Sequence, residues 1–221
     1  MEKEIKNILQ DARLGLVLGV ALEEAVRQVG VFLAEWAKWN AKIDLTAETE
    51  ALEVLRRHLF DSLLYQRGLI SPRAERGSLV DVGSGGGFPG IPLKIVQPEL
   101  ALVLVESQRK RAGFLRSVTA QLGWRDVEIH QARAEELAAN PAFRNRFDQA
   151  TFRAVGPLAS CLEWGAGLIR PGGRMIIMKE PGAEPQGRVS DAIELAEEIP
   201  VENYYGRPSK LMVFQKKEDP L

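Results

Sequence analysis

Apolar residues at Leu22, Val26, Val29, Leu33 and Trp36 recur at steps of three and four, which places them on one stripe of a helix over about 21–39. Helical spacing continues over 48–57 and 59–66, and the polar, turn-rich SPRAERGS at 71–78 predicts the linker that closes a helical extension spanning 1–77. Beyond it the period changes. SLVDV (78–82), ALVLVE (101–106), VEIHQ (127–131), FDQATF (147–152) and RMIIMK (174–179) are short apolar runs that alternate with amphipathic segments, so 78–221 predicts a second domain of βαβ units. These runs lack a clean polar alternation, as expected of a parallel sheet buried on both faces. ENYYG and KLMVFQKK (210–217) are separated only by RPS, too short for a parallel crossover, and predict an antiparallel hairpin on the sheet edge. KKEDPL at the end reads as a frayed tail.

The fold class is therefore α/β: a Rossmann-like, mostly parallel seven-stranded sheet with a C-terminal antiparallel hairpin, preceded by helices. Composition refines the picture in two ways. With 29 basic and 30 acidic side chains there is no global attraction to a polyanion, so a nucleic-acid partner has to be held by a local patch. A lone Cys161 has no partner for a disulfide and MEKEIKN lacks a secretory pattern, which points to a reducing, cytoplasmic setting. LGLVLGV at 14–20 is much shorter than the roughly 20 apolar residues that span a bilayer.

The stretch LVDVGSGGGFPGIPLKI (79–95) follows the first strand at the carboxyl edge of the sheet, where open α/β folds bind ligands. Glycines there allow backbone N–H groups to approach a ligand without an intervening Cβ, which makes Gly83, Ser84, Gly85 and Gly87 candidate cofactor-binding residues. Glu106 ends the second strand, where a carboxylate can accept from both hydroxyls of a ribose. Together they point to an adenosine-containing ligand. Asp81-x-Gly83-x-Gly85-x-Gly87 fits S-adenosylmethionine, whereas Gly85-x-Gly87-x-x-Gly90 also fits a dinucleotide; the terminal hairpin favours the former. No Gly-Lys-Ser/Thr follows, against a P-loop.

Six blocks in order extend the signal over about 35–182: WNAKIDLT, RHLFDSL, DVGSGGGFPGIPLKI, ESQRKRAGFL, ARAEEL and FRAVGPL. In these blocks the sequence resembles the RsmG family, also called GidB, of bacterial small-subunit rRNA guanine-N7 methyltransferases. The resemblance implies a class I methyltransferase fold, S-adenosylmethionine as donor, and N7 of one guanosine in 16S rRNA as acceptor, free or within the small ribosomal subunit. It implies that Gly83 and Phe88 contact the cofactor, that Ala134 and Glu135 flank its adenine, and that Arg153 lies beside it. The chain departs from the family in two places. Ser209 stands where a final-strand arginine is usual, with Lys210 and Arg207 as the nearest basic residues, and Lys179-Glu180-Pro181-Gly182 replaces a Lys-Gly pair.

Guanine N7 carries a lone pair and no proton, so the reaction needs alignment rather than a general base, and Arg153 and Lys179 are candidates for positioning. The catalytic residues are otherwise unassigned. Candidate RNA contacts are Lys110, Arg111, Arg133, Lys179 and Lys210. On the helix after Glu106, Arg111 falls about 200° from Arg109, inside the arc of Phe114, Leu115, Val118 and Leu122, and is expected to face the ligand region; Arg109 and Arg116 face solvent. His58, Asp61 and Ser62 share one helical face, as pocket lining or as a buried network joining the extension to the sheet. Asn40 and Thr46 read as helix-end caps, Trp36 and Trp39 as core or interdomain packing, and Cys161 as core. No metal cluster is expected, no membrane association and no obligate partner; the chain is expected to be a monomer. The competing readings are a small-molecule methyltransferase, a nicotinamide oxidoreductase and a non-catalytic cofactor-binding module.

Overall fold

The computed structural model describes residues 1–69, 77–183 and 191–218. Seven strands form one sheet: β1 (Ser78–Val82), β2 (Ala101–Val105), β3 (Glu128–His130), β4 (Phe147–Phe152), β5 (Ile169–Lys179), β6 (Ile193–Glu202) and β7 (Pro208–Lys216). Their order is β3-β2-β1-β4-β5-β7-β6, parallel through β5, with β7 antiparallel to both β5 and β6. The chain reverses direction from β1 outward, which opens a crevice at the carboxyl ends of β1 and β4.

Both faces of the sheet are buried, and alternate residues serve different cores. Leu79, Leu102 and Leu104 face one core, whereas Val80, Val82, Val103 and Val105 face the other. The second core is closed by α7 (Ala134–Ala139) and α8 (Leu158–Leu168), and includes the buried Cys161. The first is closed by α5 (Gly90–Val96), α6 (Arg109–Gln121) and the helices that precede β1. Those are α1 (Glu2–Leu9), α2 (Leu22–Ile43), α3 (Ala51–Val54) and α4 (Phe60–Leu64). Val26, Val29, Leu33 and Trp36 of the expected stripe are buried, and they share one core with Phe114, Leu115, Ile176 and Val213 from the other half of the chain. Trp39 packs edge-on against Phe114 at the margin of the same core, as its packing reading expects.

The segments expected as separate helices at 48–57 and 59–66 form one continuous run, because α3 passes through a π turn, Leu55–Leu59, into α4. Buried Val54, Leu55, Leu59, Phe60, Leu63 and Leu64 slip in phase there, which in sequence resembles a break and in three dimensions is absorbed by one wide turn. The run ends in a 3-10 turn, Tyr65–Gly68. The fully buried Tyr65 hydroxyl donates to the Phe152 carbonyl at 3.2 Å and accepts from the Met178 N–H at 3.3 Å, so it bridges β4 and β5.

The C-terminal hairpin also differs from expectation. Its outer strand is β6, and ENYYG mostly forms the turn instead. β6 is an edge strand with four glutamates and a bulge between Leu195 and Glu197, so its apolar alternation is broken. Lys216, read as the start of a frayed tail, ends β7 and donates to the Ala166 carbonyl at 2.6 Å; 219–221 lie outside the described residues. The expected linker at 71–78 falls largely on 70–76, also outside them, and Ser78 already opens β1.

Candidate cofactor site and its buried polar neighbour

The turn after β1 is built on left-handed backbone at Gly83 (φ +72°), Gly85 (φ +50°) and Gly87 (φ +86°). The N–H groups of the candidates Gly83, Ser84, Gly85 and Gly87 are expected free for a ligand and are instead bonded within the protein. Gly83 and Ser84 both donate to the Val105 carbonyl at 2.8 and 2.9 Å, and Gly87 donates to the Ser84 carbonyl at 2.7 Å. Gly85 donates to Glu106 Oε2 at 3.0 Å, and Ser84 Oγ donates to the Asp81 carbonyl at 2.8 Å. The glycines serve close packing: a Cβ on Gly90 would lie 2.8 Å from Asp81 Oδ2, and one on Gly87 would lie 2.6 Å from Ile91 Cδ1.

Beside this turn lies a cavity of about 200 Å³, lined by Gly83, Val105, Glu106, Ala134, Glu135 and Trp164, with Ser107, Ala132, Arg133 and Val155 completing the wall. Of the residues expected at a cofactor, Gly83, Glu106, Ala134 and Glu135 meet here. Ser84, Gly85 and Gly87 shape the turn behind it. Arg133, expected at RNA, stands at the cavity as the exposed residue before α7, its N–H donating to Glu136 Oε2 at 3.1 Å. Val155 and Trp164 were not legible as lining, because nothing in FRAVGPL or SCLEW marks a residue that folds over a glycine.

Glu106 is buried, yet among the described residues each carboxylate oxygen receives one bond, Oε2 from Gly85 and Oε1 from the Gln108 N–H at 2.7 Å. Each oxygen retains acceptor capacity. A side-chain-free floor, small apolar walls at Val105 and Ala134, and a carboxylate with spare lone pairs fit an adenosine moiety. Asp81 is fully buried, accepting from Thr151 Oγ1 at 2.9 Å and from the Gly90 N–H at 3.1 Å. Burial pushes its carboxyl up to about 6 despite these bonds. Its role is to fix the start of α5 under the glycine turn.

Phe88 does not line the cavity. Its ring stacks on His58 at 5.1 Å and meets Phe32 edge-on at 5.2 Å. Arg153, directly after β4, is likewise drawn toward the extension: its Nη2 donates to His58 Nδ1 at 2.9 Å and to Asp61 Oδ2 at 3.4 Å. His58 Nε2 lies 2.6 Å from Glu48 Oε2, and Ser62 Oγ donates to the His58 carbonyl at 2.5 Å. The His58, Asp61 and Ser62 face therefore belongs to a network that joins the extension to the sheet. Burial and the nearby Arg153 lower the His58 pKa, and burial pushes Asp61 up to about 6.

The basic candidates disperse. Arg111 does not face the glycine turn. It lines a separate cavity of about 560 Å³ with Trp36, Asn40, Asp44, Thr46 and Thr49, its Nη2 donating to the Asp44 carbonyl at 3.2 Å. The long C-terminal end of α2 draws it there, an element the helical wheel of α6 cannot register. Lys110 is exposed. Lys210 is paired with Glu198 at 2.6 Å and stands opposite Lys179 across β5 and β7; Arg207 is exposed. Asn40 and Thr46 do not cap a helix end: Asn40 Nδ2 donates to the Glu48 carbonyl at 2.9 Å and Asn40 Oδ1 accepts from the Thr46 N–H at 3.0 Å, which clamps the loop after α2.

Residues 25–204 match the family model GidB, rRNA small subunit methyltransferase G. Ribosomal RNA small subunit methyltransferase G of Roseiflexus castenholzii is 41% identical over 76% of this chain and 70% of its own length. That of Caldanaerobacter subterraneus subsp. tengcongensis is 39% identical over 87% and 79%. Among solved structures, a provisionally assigned O-methyltransferase from Klebsiella pneumoniae superposes with a TM-score of 0.57 at 16% identity, covering 84% of this chain and 90% of that one. A SAM-dependent methyltransferase from Aquifex aeolicus gives 0.53 at 16% identity, covering 74% and 93%. At such identities these structures speak for the fold, which is that of the methyltransferases.

Proposed function

The chain belongs to the GidB family, rRNA small subunit methyltransferase G, and from that premise we propose that it transfers a methyl group from S-adenosylmethionine to N7 of a guanosine in 16S rRNA. It is a methyltransferase that acts on small-subunit rRNA, which sets aside the nicotinamide, small-molecule and non-catalytic readings. The finer assignment has one principal support, the cavity at the carboxyl ends of β1 and β2 that brings Gly83 and the Val155 wall beside the half-satisfied Glu106 carboxylate.

In this reading Glu106 holds the ribose hydroxyls, and Val105, Ala134 and Glu135 surround the adenine. When bound, S-adenosylmethionine supplies an electrophilic methyl group on a sulfonium centre. The protein's part is to exclude water and hold the base edge in line, because guanine N7 offers its lone pair without losing a proton. No side chain then has to take up a proton from N7, which accords with an Asp81 carboxylate engaged in buried bonds and with Asp81 and Asp61 both lying off the cavity lining. In A-form RNA the N7 edge lies in a deep, narrow groove, so the target base has to be unpaired or displaced. Arg111, Lys110 and Arg133 are the proposed phosphate contacts. Among the described residues no helix is long and apolar enough to cross a membrane, and the enzyme is proposed to act as a single chain in the cytoplasm, where its substrate is assembled.

The test is transfer of a radiolabelled methyl group from S-adenosylmethionine to small subunits that lack the modification, followed by digestion and nucleoside identification. Label in 7-methylguanosine supports the assignment; label in another nucleoside overturns the acceptor.

A further inference from the structure

Arg153 is followed by Ala154 in the left-handed region (φ +56°) and by Val155, whose methyl groups cover Gly83 and whose side chain lines the cofactor cavity. A non-glycine residue in that conformation is strained and persists only where its surroundings hold it. The residue that enters this turn, Arg153, is itself anchored through its guanidinium on His58 and Asp61 of the helical extension.

The anchor has a defined protonation pattern. A guanidinium only donates, so the His58 Nδ1 that lies 2.9 Å from Arg153 Nη2 has to present its lone pair. The single ring proton is then on Nε2 and is donated to Glu48 at 2.6 Å. Glu48 in turn sits in the loop after α2, its carbonyl bound by Asn40 and by Thr46 Oγ1. A contiguous chain of bonds thus runs from that loop, through Glu48, His58 and Arg153, to the wall of the cavity. His58 lies in the π turn Leu55–Leu59, the one such turn among the described residues, and π turns recur at functional positions.

We propose that His58, held by Glu48 as the Nε2-protonated tautomer, is a positioning residue that fixes Arg153 and thereby the Val155 wall, so that the helical extension sets cofactor affinity. The inference rests on the cofactor assignment above. It gives the extension a role at the donor site in addition to any contact with RNA.

The groups facing His58 are Glu48 from the loop, Arg57 and Asp61 from its own helical run, Arg153 after β4 and the uncharged Phe88 ring. Three variants separate their effects. His58→Ala removes both bonds. His58→Asn places an amide oxygen where Nδ1 stands and keeps an acceptor for Arg153. His58→Gln reaches Glu48 and leaves Arg153 without its acceptor. S-adenosylmethionine affinity is measured by calorimetry, KM and kcat on small subunits by radiolabel transfer, and folding by thermal melts.

The expected result is a Kd and KM for S-adenosylmethionine raised about tenfold in His58→Ala and His58→Gln, with His58→Asn within about threefold of wild type. Wild-type affinity should also fall on acidification, since a proton on Nδ1 would confront the Arg153 N–H. Asp61, pushed up to about 6, also takes up a proton on acidification, so the His58 contribution is read as the difference between the wild-type and His58→Asn profiles. Equal affinities for the three folded variants, or coincident pH profiles for wild type and His58→Asn, overturn the inference. Should His58→Ala fail to fold, the contrast between His58→Asn and His58→Gln decides. Wild-type protein that takes up no S-adenosylmethionine overturns the cofactor assignment itself, a separate outcome.

Discussion

Val155 lies so close over Gly83 that a Cβ at position 83 would fall 2.6 Å from Val155 Cγ2. Contact of this kind leaves no room for any other residue, and the φ of +72° at Gly83 adds a backbone penalty. Gly83→Ala is expected to destabilise the protein by about 1–2 kcal/mol and to push Val155 into the cavity. Calorimetry should find S-adenosylmethionine affinity lowered by at least about tenfold in protein that still melts cooperatively.

Glu106 is the hinge of the same wall, since one carboxylate ties Gly85 to Gln108. In Glu106→Gln an amide NH2 would have to face one of those two backbone N–H groups, leaving a donor unsatisfied at a cost of about 1–3 kcal/mol. Denaturant unfolding should show that loss. Cofactor affinity should fall further than stability does, because the spare acceptor sites are also halved.

Asp81 gives a pH signature of defined sign. Its folded-state pKa of about 6 stands above the ordinary carboxylate value, so the folded protein holds that proton more tightly than the unfolded chain. Its contribution is then most favourable at low pH and declines as pH rises to about 6, by about 3 kcal/mol in all. Asp81→Asn can still accept from Gly90 and can donate to Thr151. The stability difference between variant and wild type should therefore move in favour of the variant between pH 4 and 7, as read from melts across that range. A constant difference would contradict the burial argument.

Arg111 has no ion pair among the described residues and one carbonyl partner, which leaves most of its donors available to a phosphate. Arg111→Ala is expected to weaken rRNA binding across sequences and to reduce the salt dependence of log K by about one ion. Filter binding at several salt concentrations reads both. An unchanged slope would remove Arg111 from the RNA interface.

The two halves of the site differed in how far the sequence disclosed them. β1 and β4 were legible to the residue, because buried parallel strands are short apolar runs bounded by turn residues, and the glycines and Glu106 have a local spacing that reports their chemistry. Val155, Phe88 and Arg153 could not be placed in the same way. Phe88 and Arg153 are placed by contacts with the extension, 95 residues away in the case of Arg153 and His58, and Val155 by its close approach to Gly83, none of which periodicity or a motif encodes. Arg111 shows the same limit: its angle on α6 was sound, but the end of α2 determined what stood on that side. β6 was missed for a local reason, since a glutamate-rich edge strand with a bulge has no alternating pattern to detect.

The Tyr65 hydroxyl, wedged between the Phe152 carbonyl and the Met178 amide, bears on how such an enzyme can be dissected. Trimming the chain to a minimal catalytic core at β1 would remove a side-chain bridge that continues the ladder between two adjacent strands and lay bare a broad greasy surface. A chimera that exchanges the N-terminal third therefore has to import a matching phenol at that seam to keep the bridge.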